Sequence, residues 1–338
     1  SNNTNIIPKE IKTIYICQND NKIYQIKLDE NYDSFIKYFK EILKDINIKK
    51  IGYQLNEDTV LLKQLNIDLS GICFDAQIAA YDLNPTNNHY YIEDLAMQYL
   101  NLDISSYLEN SGIKEQKEEQ INLFSEEKEA PDYEKYKNAL YVYAVKNLVN
   151  VLNEKLEEQG STKLFEDIEM PLVKVLANMQ YDGIYIDRDE LIAFGNKLKE
   201  EIETLKQNIY NLCGEEFNIN STQQLGTTLF EKLKLPVYKK TKKGYSTDVD
   251  ILEKLLPEHP VIEKILEYRS LMKLNSTYVE GLLPYINPKT HRIHSYFHQT
   301  ITATGRISST EPNLQNIPTR AEQGKQIKKA FKASEGNI

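Results

Sequence analysis

The sequence has few cysteines and no long apolar run. Its three cysteines, Cys17, Cys73 and Cys213, are scattered without any C-x-x-C pair, which argues against a zinc site and against a disulfide framework. No stretch approaches the roughly 18 apolar residues of a membrane-spanning helix, and residues 1–9 are polar where a signal peptide is apolar. We find no internal repeat. The chain of 338 residues is therefore expected in the cytoplasm, with two or more domains.

Charge is distributed unevenly along the chain. The formal net charge of −9 by itself argues against nucleic acid, because neutralising phosphate requires Lys and Arg. Residues 221–338, however, hold 18 Lys and Arg against 11 Asp and Glu, whereas residues 1–220 hold 23 against 39. This asymmetry indicates a nucleic-acid surface in the later part of the chain, or only an excess of solvated lysines. Charge alone leaves both open.

The first part of the chain has an α/β pattern. Alternating apolar residues predict a hairpin over Lys12–Asp29, and the charged stretch between Leu108 and Pro131 predicts a loop or disorder. The other expected elements are a helix over Ser34–Leu43, a strand after Lys50, a helix over Glu57–Gln64, a strand over Gly71–Phe74, and helices over Ala76–Tyr81 and Tyr133–Glu157.

Beyond a boundary at Gly160–Ser161 almost every element is predicted to be helical. Asp187 is a candidate cap for a helix over Glu190–Leu212, and Ser221 with Gln224 has the form of a capping box that Thr247 with Asp250 repeats. A helix over Pro260–Leu283 and a strand over Arg292–Thr300 follow. The first of these helices has an apolar stripe at helical spacing formed by Leu191, Phe194, Leu198, Ile202 and Leu205.

Two segments carry possible binding chemistry. Lys239, Lys240, Lys242 and Lys243 cluster around Gly244, and helix N-termini at Ser221 and Thr247 would add free amides on the same side, forming a phosphate clamp without base specificity. A solvated loop is the alternative for the lysines.

The second segment, Ile301–Arg320, is polar and fits neither helix nor strand spacing. Its Arg306, Asn313 and Gln315 are able to donate hydrogen bonds to the acceptors that every base pair displays in the minor groove. An enzyme that must hold any correctly paired primer end needs this kind of degenerate recognition.

The same stretch carries a resemblance. The sequence TATGRISSTEPNLQNIPTR, followed by IKKAF, resembles the signature that opens the palm of family A DNA polymerases, the group of bacterial DNA polymerase I. Upstream, FNINSTQQLGTTLFEKLKLP, KKTKKGYSTDVDILEKL and YRSLMKLNSTYVEGL resemble the thumb of that family, and IEMPLVKVLANMQYDGIYID resembles the segment leading into it. The resemblance is close over Phe165–Phe331 and looser before it.

The resemblance implies roles for individual residues. Arg306 would hydrogen-bond in the minor groove at the primer terminus, with Asn313 and Gln315 beside it, and Ser308 and Ser309 belong to the same DNA-binding stretch. The thumb would hold the DNA backbone through a set of polar and basic residues. That set is Arg269, Lys273, Ser276, Thr277, Ser221, Thr247 and the lysines Lys239, Lys240, Lys242 and Lys243.

Residues 11–157 resemble the 3'-5' exonuclease domain of the family, whose fold is a mixed sheet of the ribonuclease H type. Its two metal ions require a D-x-E strand, a central Asp and a late helical Asp. Asp58 occupies the central position, but Ile11–Asp29 contains no D-x-E and Ala139–Asn153 contains no carboxylate. We therefore expect Asp58 to be a solvated charge at a helix start, and the domain to release no 3' nucleotides from single-stranded DNA with Mg²⁺ or Mn²⁺.

Taken together, the resemblance implies a degenerate exonuclease-like domain over 1–160, a helical thumb over 161–286 and the beginning of a palm over 287–338. The polymerase carboxylates would lie beyond Ile338, so we expect a recombinant or trimmed fragment that holds no metal and does not polymerise alone, although the full-length parent would use Mg²⁺ and deoxynucleoside triphosphates. Its partner would be primer–template duplex DNA, bound by a monomer in the bacterial cytoplasm at the nucleoid and not at a membrane.

Two alternatives remain in view. A stand-alone duplex-binding module would show the same salt-sensitive binding, and a stretch like D-Y-S-Q-I-E-L-R downstream of residue 338 would decide for the polymerase. An active nuclease is disfavoured by the carboxylate count. His291, His294 and His298 do not suggest a metal site, because on an alternating strand His291 and His294 face opposite sides.

Overall fold

The structure, a computed structural model, describes residues 11–18, 22–114, 132–241, 244–318 and 322–333. Lys242, Lys243 and most of the predicted loop between Leu108 and Pro131 lie outside these residues. The chain divides into two compact units. The first unit contains the described residues up to Gly183 together with His294–Gln315, and the second contains Ile184–Ile293 together with the described residues from Asn316 onwards. The predicted domain boundaries at residues 160 and 286 stay predictions.

The elements follow one another in chain order. The early ones are β1 Thr13–Cys17, β2 Ile23–Lys27, α1 Leu28–Lys44, β3 Lys50–Gly52, α2 Leu55–Gln64, β4 Ile72–Asp75, α3 Ala76–Leu83, α4 Ile92–Leu100, α5 Ile104–Asn110, α6 Tyr133–Gln159, α7 Thr162–Leu164 and α8 Met170–Asp182. The later ones are β5 Ile184–Tyr185, α9 Arg188–Cys213, α10 Thr222–Thr227, β6 Lys240–Thr241, β7 Gly244–Tyr245, α11 Val249–Leu255, α12 Val261–Leu274, β8 Arg292–Ile293, β9 Tyr296–His298, β10 Ser308–Thr310 and α13 Glu322–Ala330. None of the helices in the described ranges is long and apolar enough to span a membrane.

The first unit combines short strand pairs with helices around one apolar core. Strands β1 and β2 form the antiparallel hairpin that the sequence predicts, and β3 and β4 pair in parallel through the crossover helix α2. Long helix α6 packs on α3 and α4 and buries Leu148, Leu152 and Leu156 completely or almost so. The predicted mixture of parallel and antiparallel strands is present, but within the described residues it consists of separate pairs.

Some elements of this unit differ from the sequence prediction. Helix α1 begins directly after β2, six residues before the predicted Ser34, and α4 and α5 are additional helices. Asp103, the N-cap of α5, accepts a hydrogen bond from the Ser106 amide at 2.9 Å, so a capping signal was present in the sequence. Helix α6 begins at the predicted residue because Asp132 caps it in the same way.

The second unit is built on two packed helices, α9 and α12. Asp187 caps α9 as predicted, accepting from the Glu190 amide at 3.0 Å. Four of the five predicted stripe residues are buried, Phe194 is half-buried, and Ile209 extends the stripe. Helix α12 ends at Leu274 and continues as a π-helical turn over Asn275–Glu280, so the predicted helix to Leu283 changes its winding near its end.

The predicted strand Arg292–Thr300 is broken into two pieces. β8 pairs with β5 in the second unit, whereas β9 pairs with β10 in the first unit. Strand β10 also differs from the prediction, because residues 301–320 were expected to contain no strand. Alternation in the sequence therefore identified extended backbone but not its partners, since strand partners are set by distant parts of the chain.

A pair of buried carboxyl groups in the first unit makes stability depend on pH. Asp82 is 7% exposed, and its Oδ2 accepts no hydrogen bond from any residue within the described ranges. Glu169, also buried, accepts a hydrogen bond from Gln299 at 2.7 Å. Burial, and then the negative charge of Glu169, raise the pKa of Asp82 to about 7. The folded state consequently binds a proton more tightly than the unfolded chain, and stability is lost as pH rises through that range.

We expect Asp82→Asn to stabilise the protein more at pH 8 than at pH 4. Amide replacement removes the cost of ionising a buried acid, which is on the order of 3 kcal/mol above pH 7 and almost nothing below the ordinary pKa of Asp. Urea unfolding at both pH values measures this difference. Exposed Asp167 on the neighbouring turn provides the control, because Asp167→Asn should act alike at both pH values. An equal gain from Asp82→Asn at both would contradict a raised pKa.

Candidate nucleic-acid interface

A short basic hairpin, β6–β7, projects from the second unit. Lys240 pairs with Tyr245 across it, and the Lys240 ammonium lies 5.3 Å from the centre of the Tyr245 ring. That ring packs 4.9 Å from the ring of Phe230. Gly226 lies so close that an added Cβ would be 3.2 Å from Tyr245 Cβ. We call the described residues Lys239–Thr241 and Gly244–Tyr245 the lysine hairpin. Its Lys239 and Lys240 are exposed.

The base of the lysine hairpin is fastened to α12. The guanidinium of Arg269 donates hydrogen bonds to the backbone oxygen of Thr247 and, at 3.0 Å, to its Oγ1. Thr247 is only 3% exposed and does not cap α11, which begins after Asp248 without a side-chain cap. Its predicted role as a helix N-terminus facing phosphate is therefore wrong, because the hydroxyl is buried against an arginine.

Ser221 does cap α10, accepting from the Gln224 amide at 3.4 Å. The reciprocal half of the predicted capping box differs, since Gln224 Oε1 accepts from the Asn218 amide at 2.8 Å instead of from Ser221. Asn220 donates to the hydroxyl of Tyr268 at 3.3 Å, which brings the start of α10 to α12 beside Arg269. Ser221 is half-buried.

One face of α12 and its π-helical turn carries the remaining predicted thumb residues. Lys273, Ser276 and Thr277 are exposed, while Arg269 is half-buried. Their spacing of four, seven and eight residues from Arg269 is typical of a single helix face. The second unit thus brings Arg269, Lys273, Ser276 and Thr277 onto the helix to which the lysine hairpin is attached.

The other predicted site residues lie in the first unit, on the segment 301–315. Its start is held by Tyr81, whose hydroxyl donates to the Thr302 oxygen at 2.8 Å. Thr302 Oγ1 in turn donates to the Arg306 oxygen at 2.6 Å, closing a turn in which Gly305 has a φ of 74°. That conformation favours glycine. The turn leaves the side chain of Arg306 exposed.

Ser309 has a structural place in this segment. It is completely buried on β10, and its hydroxyl is 2.7 Å from Ser295 Oγ, donates to the Pro312 oxygen and accepts from the Leu314 amide at 3.2 Å. The prediction that it contacts DNA is therefore wrong, because no face of the hydroxyl is left for a ligand. Ser308, its half-buried neighbour, pairs with His298 on β9.

Asn313 and Gln315 are exposed, but each already makes a hydrogen bond within the segment. Asn313 Oδ1 accepts from the Gln315 amide at 2.9 Å, and Gln315 Nε2 donates to the Ile307 oxygen at 2.7 Å. The second bond joins the two arms of the segment on either side of β10. The hydrogen bond from the Gln315 amide uses only Oδ1 of Asn313, so the Asn313 NH₂ group can donate to a further partner. Gln315 likewise has a second amide hydrogen that can be donated.

In the described part of the exonuclease-like region, the acidic residues are not grouped as a metal site. Asp75 is buried, and its carboxylate accepts from the amides of Leu55 at 2.7 Å and Gln77 at 2.9 Å, so it caps α2 and α3. Its position directly before α3 was a capping signal that sequence reasoning missed. Within the described ranges, no group of three His, Cys, Asp or Glu residues is arranged to hold a metal ion. The described residues of this region therefore do not fit a pair of divalent cations.

Asp58 lies in the first turn of α2, as predicted, and is exposed. Its environment differs from a freely solvated charge, because surrounding protein limits its hydration. This desolvation, together with the negative charges of Asp75 and Glu57, raises the pKa of Asp58. The position of Asp58 in the first turn of α2 and its exposure agree with the expected helix-start charge.

The three histidines have different surroundings. His294 is buried, with Nδ1 2.9 Å from the Gln180 oxygen, and His298 Nε2 lies 2.9 Å from Thr310 Oγ1, both in the first unit. Burial lowers the pKa of His298. His291 is exposed at the end of the second unit's β8. His294 and His298 thus have structural partners.

Comparison with known proteins identifies both regions of the chain. The family model described as DNA polymerase family A matches residues 188–338, and the model described as DNA polymerase I, ribonuclease H-like domain, matches residues 3–111. DNA polymerase I of Geobacillus stearothermophilus is 41% identical over 295 residues, which are 87% of this chain and 32% of that protein. The Bacillus subtilis (strain 168) enzyme is 38% identical over 319 residues, 94% of this chain and 35% of that protein.

A solved structure has the same fold. The POL domain of Pol1 from M. smegmatis, in complex with DNA primer-template and dNTP, has a TM-score of 0.79 and 30% identity, with 96% of this chain and 53% of that chain covered. The chain spans about a third of the length of the curated relatives it matches. The ordered match of both family models and the similarity of these relatives lead to one assignment: the chain belongs to family A of the DNA polymerases and carries a ribonuclease H-like domain followed by part of the polymerase domain.

Proposed function

We propose that this chain holds primer–template duplex DNA through minor-groove contacts from Arg306 and backbone contacts from the second unit. The observation that carries the proposal is the exposure of Arg306 on a turn whose backbone is fixed by Tyr81 and Thr302. A turn whose backbone is already fixed loses little further backbone entropy on binding. Asn313 and Gln315 are exposed on the same segment and supply further donors to groove acceptors.

The second unit supports the same function with positive charge. Lys239, Lys240 and Lys273 are exposed there, and lysines attract phosphate without reading sequence. Ser276 and Thr277 add hydroxyl donors of the kind that also contact phosphate. Binding of this type is expected to be independent of sequence and to weaken steeply with salt.

For the whole protein we propose DNA-directed DNA polymerase activity with Mg²⁺ and deoxynucleoside triphosphates, in a monomer at the bacterial nucleoid. The support is that the relatives are named DNA polymerase I and that the structural neighbour is in complex with DNA primer-template and dNTP. We further propose that these 338 residues alone neither polymerise nor degrade DNA. Metal-dependent primer extension by the purified chain would contradict the first statement, and metal-dependent release of 3' nucleotides would contradict the second.

Arg306→Ala tests the proposed grip. We expect about tenfold weaker binding of a fluorescein-labelled duplex with a recessed 3' end, because a charge-assisted donor to the groove is removed. The loss should be similar for A·T and G·C ends, since the acceptors are shared. Fluorescence anisotropy gives the Kd.

Arg188, exposed in the first turn of α9, serves as the matched control, because Arg188→Ala removes the same charge away from the predicted DNA-binding residues. Unchanged affinity in Arg306→Ala would show that the lysines of the second unit carry the binding. Equal losses in the two arginine variants would indicate an effect of net charge alone.

A further inference from the structure

We propose that Arg269 is a positioning residue that clamps the lysine hairpin to α12, and that it supports DNA binding through the hairpin instead of through a phosphate contact of its own. The inference rests on the proposed function, because it assigns a cause to the hairpin's contribution to duplex binding. It also changes the role that the family resemblance implies for Arg269.

The guanidinium of Arg269 makes its hydrogen bonds within the protein. It donates to both the backbone oxygen and the hydroxyl of Thr247, and burial lowers the pKa of Arg269 while nearby Asp248 acts in the opposite direction. Two acceptors on one residue match the planar fork of an arginine. Thr247 itself is buried, so this contact is not a loose surface pair.

Thr247 links the clamp to the lysines because it lies two residues beyond the end of the hairpin, next to Ser246. The amide of Ser246 donates to the Lys239 oxygen at 3.1 Å and closes the two arms. Lys239 Nζ lies 3.6 Å from Asp248 Oδ2, on the other side of Thr247 in sequence. Displacing Thr247 would therefore move both the closing hydrogen bond and the ion pair of Lys239.

A second anchor holds the same arm of the hairpin, in β7. Tyr245 packs against Phe230 and over Gly226, where an added Cβ would already crowd its Cβ at 3.2 Å. Lys240 lies over the same ring. The hairpin is thus fixed by an aromatic contact from α10 and its continuation and by a hydrogen-bonded contact from α12.

This arrangement predicts that order of the hairpin, and not only its charge, contributes to affinity. Lysines that are held in place before binding do not have to be ordered by the DNA. A hairpin without the Arg269 contact would be less ordered, so each binding event would cost conformational entropy. Lys273, one turn further along α12, is exposed and serves as a reference for direct contact.

The experiment compares Arg269→Lys, Thr247→Val, the double variant of these two and Arg269→Ala with Lys273→Ala. Affinity for the recessed-end duplex is measured by anisotropy at several salt concentrations, and amide hydrogen exchange of Ser246 is measured without DNA. Arg269→Lys keeps the charge but loses the fork, and Thr247→Val removes only the hydroxyl, so Thr247→Val provides a milder variant if Arg269→Lys is poorly folded.

We expect Arg269→Lys to weaken binding about tenfold and Thr247→Val about threefold, with the double variant no weaker than Arg269→Lys because both remove one contact. Exchange of the Ser246 amide should accelerate in all three. The slope of log Kd against log salt should stay at the wild-type value, whereas Lys273→Ala should lower it by about one.

The clamp is overturned if Arg269→Lys leaves Ser246 exchange unchanged, or if replacing Arg269 by alanine lowers the salt slope as Lys273→Ala does while Thr247→Val binds normally. The proposed function has a separate failure, namely no salt-sensitive duplex binding by the wild-type chain. In that case accelerated exchange in the variants would still support the clamp as a structural contact, but its role in DNA binding would be refuted.

Discussion

Replacing Lys239, Lys240 and Lys273 together by alanine is expected to weaken duplex binding by roughly a hundredfold at low salt and to lower the salt slope by about three. All three ammonium groups belong to the second unit and are exposed, two on the lysine hairpin and one on α12. Each phosphate contact releases bound counterions, so the number of lost contacts appears directly in the salt dependence of Kd. Anisotropy titrations between 50 and 200 mM salt would cover the range in which such losses are large.

A matched triple variant separates local contact from net charge. Lys197, Lys206 and Lys264 belong to the same unit, and each lies beside a glutamate of its own helix. Lys264 is nine residues before Lys273, about two and a half helical turns, and so lies on the opposite face of α12. Their replacement by alanine removes the same charge. If both triple variants lost the same affinity, the lysine hairpin and Lys273 would have no special role.

Gly195→Val is expected to destabilise the second unit by roughly 3 kcal/mol. Gly195 is buried in α9 at the contact with the π-helical turn that follows α12, and a Cβ there would lie 2.7 Å from Val279 Cγ1. Val279 is itself 3% exposed and has little room to move. A valine would add two methyl groups beyond that Cβ, forcing the helices apart in a densely packed region. Urea unfolding followed by circular dichroism measures the loss.

Ala193→Val supplies the control on the same helix. Ala193 is exposed, so the substitution introduces the same β-branched side chain without a packing conflict and should cost only about 0.5 kcal/mol. A similar loss in both variants would mean that helix propensity, not the close approach to Val279, limits position 195. Because Ser276 and Thr277 lie in the same π-helical turn, Gly195→Val should also weaken duplex binding.

Similarity of sequence to a nuclease domain does not by itself show that its acidic residues bind metal. In the ribonuclease H-like region, buried Asp75 caps two helices. A carboxylate that accepts several backbone amides stabilises two helix starts and has little capacity left for a metal. The buried position of Asp75 is therefore explained by its capping of two helices.

The amino-acid sequence by itself determined the features that depend on neighbours along the chain. Asp187 and Ser221 cap the predicted helices, the apolar stripe of α9 faces inward, and the hairpin β1–β2 forms where alternation predicts it. Capping and amphipathic spacing act within one or two turns, so they can be recognised without knowing the fold. The ordered motifs between Phe165 and Phe331 likewise identified the family before any contact was known.

Only the tertiary structure decided which polar groups remain available for a ligand. Ser309 and Arg306 are three residues apart in one motif, yet Ser309 is buried against Ser295 while Arg306 is exposed. Arg269 and Thr247 both belonged to the predicted DNA-binding set, and the fold joins them to each other. Such partners are separated by tens of residues, and local sequence cannot show whether a donor meets solvent or another part of the chain, because burial is set by packing between distant elements.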